Sequence, residues 1–308
     1  MAETVPTWAD LRAHAEARLQ ETLVLSPAAE ARWMVERVSG YDGVELVVGE
    51  HEAATAPAIQ HLEDMLERRA LGEPLQYVLG RWDFRGLDLL VDRRVLVPRP
   101  ETEVVAEVAL EEVARLGARR GTHDPWSAGI TEYPVADLGT GSGAIALALA
   151  SELPDAEVWA TDVSPDALSV ARANLAGVGS AATRVRLEAG SWFDPLPAHL
   201  RGRLRLVVSN PPYVAETEVP DLPADVADWE PRLALVSGPT GLEAIEAIVA
   251  EAPAWLDPAG AVLVVELAPH QAAPATELAR AAGFTDVRIA RDLANRDRVL
   301  IARAGGPA

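Results

Sequence analysis

Asn210, Pro211, Pro212 and Tyr213 follow directly on an apolar run, LRLVVS, that ends at Ser209. A polar amide on a backbone stiffened by two prolines has few directions open to it. The Asn210 side-chain oxygen and the Pro211 carbonyl are both hydrogen-bond acceptors. Two convergent acceptors fit the two hydrogens of one planar –NH2 group. Such a nitrogen, in a carboxamide or a nucleobase amine, is a poor nucleophile because its lone pair is delocalised. The plain alternative is a turn, which Asn-Pro commonly starts.

A second group of residues decides what such a nitrogen would attack. Gly139, Thr140, Gly141, Ser142 and Gly143 lie between an apolar strand pattern, VADL, and a helical one, AIALALA. Glycines there let the backbone turn tightly and come close to a ligand, with helix N–H groups pointing at it. The next strand pattern ends in WATD, which puts Asp162 where a ribose diol is read. Its other reading is an acid at a helix N-terminus, ahead of SPDAL, where the helix dipole favours negative charge. The glycine spacing is not that of a dinucleotide loop, and it suits S-adenosylmethionine, which carries no pyrophosphate. Trp192 follows the third strand and is either a core aromatic or an adenine contact; residue type alone favours the core.

Together the two groups predict methyl transfer. Attack on a methylsulfonium makes the amide nitrogen positive, so its N–H groups bond more strongly as the transition state forms. Tyr213 can stack on the flat amide and hold the lone pair in line with the methyl group. No strong base is needed beforehand, because the proton on the product nitrogen becomes acidic. Asn210 would stand beside the reactive end of the cofactor and so touch both.

The elements that must hold these residues can be read from the pattern. From residue 135 strand and helix alternate: VADL, AIALALASEL, EVWATD, DALSVARANLA, RVRLEA, LRLVVSN, GLEAIEAIVAEA, AVLVVEL, QAAPATELARAAG, DVRIARD and RVLIARA. Apolar strands with intervening helices predict a mostly parallel sheet covered on both faces. The last two strands are joined by a stretch too short for a crossover and should pair antiparallel. If the glycine loop follows the first strand of this sheet, the strand before Asn210 is its neighbour at the reversal of strand order.

Upstream, Thr7 caps a helix carrying Trp8, Leu11, Ala15 and Leu19, and Ser26-Pro27 opens a second through Trp33, Val35 and Val38. A third, with Ile59, Leu62, Met65 and Leu66 on one face, stops at Gly72. Residues 75–97 read as a hairpin around Gly80 and Gly86, and ETEVVAEVALEEVARL returns to helix period. The polar stretch 117–133 reads as a surface loop. The expected domains are therefore a helical one over 1–74, a hairpin linker over 75–97 and a catalytic domain over 98–308.

Composition narrows the classes. The 308 residues are 49% apolar and 24% charged, and no apolar run is long enough to span a membrane. The acidic, amphipathic N-terminus is unlike a signal peptide, so the expected location is the cytoplasm. There is no cysteine, which excludes thiol catalysis and thiolate metal sites, and the six histidines are scattered, so no metal is expected. The net charge is −20 and every basic residue is arginine. Such a surface repels phosphate backbones and disfavours stable nucleic-acid binding, while it would attract a basic protein partner. No membrane association is expected, and the chain is expected to be a monomer.

The segments GEPLQYVLGRWDF, VLVPRPETE, DLGTGSGAIALALA, TDVSPDAL, NPPYV, WEPRLAL and DLANRDRV resemble the HemK/PrmC family of release factor glutamine methyltransferases. The resemblance implies a class I methyltransferase fold: a Rossmann-like α/β sheet of seven strands, behind a small helical N-terminal domain that recognises substrate and a connecting β-hairpin. It implies methylation of N5 in the glutamine of the Gly-Gly-Gln motif of peptide chain release factors, with S-adenosylhomocysteine as product. It places Gly139 to Gly143 and Asp162 on S-adenosylmethionine, Trp192 beside the adenine, and Asn210 to Tyr213 around the substrate glutamine. Two positions depart from the family pattern, Ala268 after the fifth strand and Asn295 in DLANRD, both where glycine is usual; asparagine tolerates a left-handed turn. Rival readings are a glutamine methyltransferase for a ribosomal protein, an adenine-N6 DNA methyltransferase, which the acidic charge disfavours, and a cofactor-binding protein without catalysis.

Overall fold

The structure, a computed structural model, describes residues 5–22, 24–120 and 133–304. It divides into two compact units, residues 1–81 with 223–229, and 82–222 with 230–308.

The first unit is helical: α1 (Trp8–Gln20), α2 (Pro27–Ser39), α3 (Val44–Gly49), α4 (Ala56–Ala70), α5 (Leu75–Leu79) and, much later in the chain, the single turn α9 (Ala224–Ala227). Helix α1 buries the face read from its spacing, Trp8, Leu11, Ala15 and Leu19. Its start is a capping box, in which Asp10 N–H donates to Thr7 Oγ1 and Thr7 N–H donates to the Asp10 carboxylate. Helix α2 buries Glu30, Ala31, Met34 and Val35, while Trp33 and Val38 are half-buried. Glu30 is buried as an ion pair: Arg69 of α4 donates to both of its oxygens. Ser26 forms no side-chain cap, so Pro27, with φ fixed near the helical value, sets the start. Residues 75–79 form a helix and not the first arm of a hairpin; the hairpin itself is β1 (Arg81–Phe84) and β2 (Leu87–Leu90).

The second unit holds a seven-stranded sheet. Its strands are β3 (Tyr133–Leu138), β4 (Ala156–Asp162), β5 (Val185–Ala189), β6 (Leu206–Ser209), β9 (Ala261–Glu266), β10 (Asp286–Arg291) and β11 (Asp297–Ala304). Their order is β10-β11-β9-β6-β3-β4-β5. The five from β5 to β9 run parallel, and β11 is antiparallel to both its neighbours. A separate pair, β7 (Val214–Ala215) and β8 (Val236–Gly238), follows the NPPY stretch. Alternation along each strand splits the core in two. Val135, Val158, Val208 and Val264 pack with α6 (Pro100–Arg120) and α7 (Ala144–Glu152). Leu138, Val207, Leu263 and Val265 pack with α11 (Glu243–Glu251) and α12 (Ala272–Ala281). Helix α8 (Pro165–Leu175) connects β4 to β5, and the short α10 (Arg232–Leu235) precedes β8.

Of the stretch expected as a loop, α6 continues through Arg120 and β3 begins at Tyr133, while 121–132 lie outside the described residues. At Asn295 the backbone is left-handed, with φ of 62°. Ala268 has φ of −75°, an extended conformation that needs no glycine.

Candidate active site

Strand order brings the two sequence motifs together. Strand β3 pairs with β4 on one side and β6 on the other, so the loops leaving β3 and β6 emerge side by side where the sheet's order reverses. Ser209 Oγ donates to Leu138 O at 2.6 Å and ties the two strand ends together. A cavity of about 320 Å³ opens beyond them, within the size range of small-molecule sites.

The glycine loop forms one wall of this cavity. Gly139 N–H and Thr140 N–H both donate to Thr161 O, at 2.8 and 2.9 Å, which pins the loop against β4. Gly141 has φ of 56°, lines the cavity, and would meet nothing within 4 Å if it carried a Cβ. The backbone at Gly141 therefore faces open space on the cavity side. Thr140 and Ser142 also line the cavity; Gly143 does not, and instead starts α7 with φ of 86° against Leu147 and Ala171.

Asp162 lies at the end of β4 and lines the same cavity. It accepts from Gly141 N–H through one oxygen and from Ser164 N–H through the other, both at 2.8 Å. Burial raises its pKa, against the effect of those two backbone donors. Each oxygen retains a lone pair for a hydroxyl. Trp192 adopts φ of 44°, its carbonyl accepts from Thr161 Oγ1, and its ring lies against Gly139. It lines the cavity with one part and borders the core behind it with another.

The NPPY stretch crosses between β6 and β7. Asn210 and Pro212 line the cavity, whereas Pro211 is buried and Tyr213 is held outside it. The Asn210 amide is fixed at one end only. Its Nδ2 donates to Thr102 Oγ1 at 3.0 Å, and Oδ1 is buried with no hydrogen-bond partner. Thr102 Oγ1 in turn donates to Glu266 Oε2 at 2.9 Å. The Tyr213 carbonyl accepts from Gln271 Nε2 at 2.9 Å, and the same nitrogen donates to Gly241 O. Burial, with Glu266 nearby, pushes the Tyr213 hydroxyl up to about 12, so it stays protonated at neutral pH.

Four functional candidates carried a signal that the motif reading did not use. Asp137, two residues before the glycine loop, is fully buried and accepts from Thr140 Oγ1 and Ala146 N–H through one oxygen, while the other has no partner. Burial pushes it up to about 7. Thr102 belongs to PRPETE, and Glu266 and Gln271 flank LAPH, so three elements far apart in sequence converge on Asn210 and Tyr213. Among the described residues no group of three or more His, Asp and Glu side chains is placed to share a metal ion. Nor, among them, is any helix long and apolar enough to cross a membrane.

Residues 10–80 match the PrmC N-terminal domain, and residues 128–224 match the methyltransferase small domain. A release factor glutamine methyltransferase of Deinococcus radiodurans is 39% identical over 297 residues, covering 96% of this chain and 98% of the relative. The chain belongs to the release factor glutamine methyltransferase family. Another such enzyme, from Moorella thermoacetica, is 44% identical over 82% of each chain. The fold extends beyond the family: the human METTL16 catalytic domain, solved with an RNA hairpin of the MAT2A 3′UTR, superposes with a TM-score of 0.55 at 14% identity, over 87% of each chain. That likeness concerns the class I methyltransferase fold alone. Within the family fold, the parallel sheet and its order reversal are what set the glycine loop next to NPPY.

Proposed function

We propose that this chain methylates N5 of the glutamine side chain in the Gly-Gly-Gln motif of peptide chain release factors, using S-adenosylmethionine. The observation that carries the reading is Asn210 Oδ1, a buried acceptor at the cavity wall with no partner of its own. Leaving such an atom unmatched is costly, and a substrate N–H removes the cost. Family membership points to the same chemistry.

The residues fit the cofactor. Gly139 to Ser142 offer a backbone cradle, Asp162 has lone pairs left for a ribose, and Trp192 gives an aromatic wall. S-adenosylmethionine supplies an electrophilic methyl group when bound. Asn210 Oδ1 accepts an amide hydrogen of the glutamine. That bond strengthens as positive charge grows on the nitrogen, which is transition-state stabilisation by a fixed acceptor. Tyr213, expected to stack on the amide, stands outside the cavity, where its carbonyl is held by Gln271 and anchors the loop. The helical unit serves as the recognition module for the release factor.

The test is mass spectrometry of release factors, ribosomal proteins and an adenine-containing DNA duplex, each incubated with chain and cofactor. Methylation of the release factor glutamine is expected. Modification of a ribosomal protein or of adenine in its place would overturn the assignment of substrate.

A further inference from the structure

A carboxamide is nearly symmetric in shape, and only its hydrogen-bond partners decide which end faces where. At Asn210 those partners form a chain of three side chains from three elements. Thr102 has one hydroxyl proton, and Glu266 at the end of β9 takes it at 2.9 Å. With that proton committed, Thr102 Oγ1 can only accept, and the amide end it accepts from is Nδ2, at 3.0 Å. We propose that Glu266, acting through the Thr102 hydroxyl, fixes which way the Asn210 amide faces, so that Oδ1 and not Nδ2 meets the substrate –NH2. Both are positioning residues. This rests on the reading of the cavity as a site for a planar amide.

Protonation reverses the chain's direction. A neutral Glu266 donates to Thr102, whose own proton is then free to go to Asn210. The amide turns to accept it, and an NH2 faces the substrate NH2, donor against donor. The charged and titratable groups around Glu266 are Arg298 on β11, Arg99 just before α6, Glu101 in its first turn, and Tyr213. Burial raises Glu266 and Glu101 adds to this, while the Thr102 bond, Arg298 and Arg99 oppose it; the balance lies at about 7. The productive orientation is therefore present above that pH and lost as pH falls through it.

The chain contains three asparagines, Asn174, Asn210 and Asn295, so selective ¹⁵N-asparagine labelling gives three side-chain NH2 signals. The Asn210 pair, assigned by its loss in Asn210→Ala, is expected to titrate with a midpoint near pH 7 in the full chain. It should be insensitive to pH over that range in Thr102→Val and Glu266→Gln. A pair that does not titrate in the unmodified chain, or titrates alike in all three, overturns the inference. This spectrum needs no turnover, so it decides the inference even if no release factor is methylated and the functional reading fails. In kinetics, Thr102→Val should lower kcat/KM about 10- to 100-fold, as misplacement of a reacting group does. Thr102→Ser should restore it, and the cofactor Kd should move by less than about threefold, because the group acts on the substrate clamp. An unchanged kcat/KM in Thr102→Val, or no recovery in Thr102→Ser, also overturns it.

Discussion

An amide aimed by its neighbours works differently from one that only closes a turn, and Asn210 is where the difference can be measured. Asn210→Ala removes the acceptor and leaves the glycine loop and Asp162 intact. Cofactor affinity should hold while the rate falls roughly 100- to 1,000-fold, as for the loss of one transition-state contact. Calorimetry and single-turnover kinetics separate the two. Asp137 offers a pH test of a different kind. Its folded-state pKa is raised to about 7 from the ordinary value of 3.8, with burial as the cause. Its contribution to stability is therefore full below the unfolded value and is lost as pH rises through the folded one. Asp137→Asn removes this dependence, so its melting temperature relative to the unmodified chain should climb between about pH 4 and 8. A constant difference would show that Asp137 does not titrate in that window. The glycine loop, Asp162 and NPPY were legible because each is a local run with a chemical reason for its spacing. Asp137, Thr102 and Glu266 were visible as letters, but their roles depend on contacts across as many as 164 positions.

At the scale of elements, the loop after β6 is held from behind by one glutamine. Gln271 donates to Tyr213 O and Gly241 O and accepts from Ala268 N–H at 3.0 Å. Gly241 is committed to this arrangement: its φ is 80°, and a Cβ there would lie 2.6 Å from Tyr213 O. Gln271→Leu keeps the volume and strands three backbone groups. The expected loss is about 1–3 kcal/mol for each group left unsatisfied, read as a lower urea midpoint, with a fall in kcat as the NPPY stretch loosens. An unchanged midpoint would mean that water replaces the amide. Periodicity revealed the long helices and every strand of the main sheet. It failed on α3 and α5, with six and five residues. Such lengths hold less than two turns, and α5 carries Tyr77 and Val78, which favour strands. Nor does apolar spacing foresee that Glu30 of α2 lies buried in an ion pair with Arg69.

For the whole molecule, the division of labour between the units is the point to test. Removing residues 1–81 should leave cofactor affinity within several-fold, since every residue lining the cavity belongs to the other unit. Methylation of an intact release factor should lose more than about tenfold in kcat/KM, whereas a short glutamine peptide should be affected far less, because only remote binding has been removed. Equal losses for both substrates would remove the recognition role. The helical composition of the first stretch was plain in the sequence, and so was the α/β alternation after residue 135. That Pro223–Trp229 belongs with the helices was not, because those residues sit amid the catalytic part of the chain and carry no periodic signal long enough to read.

That discontinuity has a consequence for synthesis. A chain made from its N-terminus completes α1 to α5 early, yet Trp229, whose indole lies beside Gly72, leaves the ribosome only after β3, β4, β5 and β6 have been translated. Four of the seven strands of the sheet are therefore translated before the helical unit has its last piece.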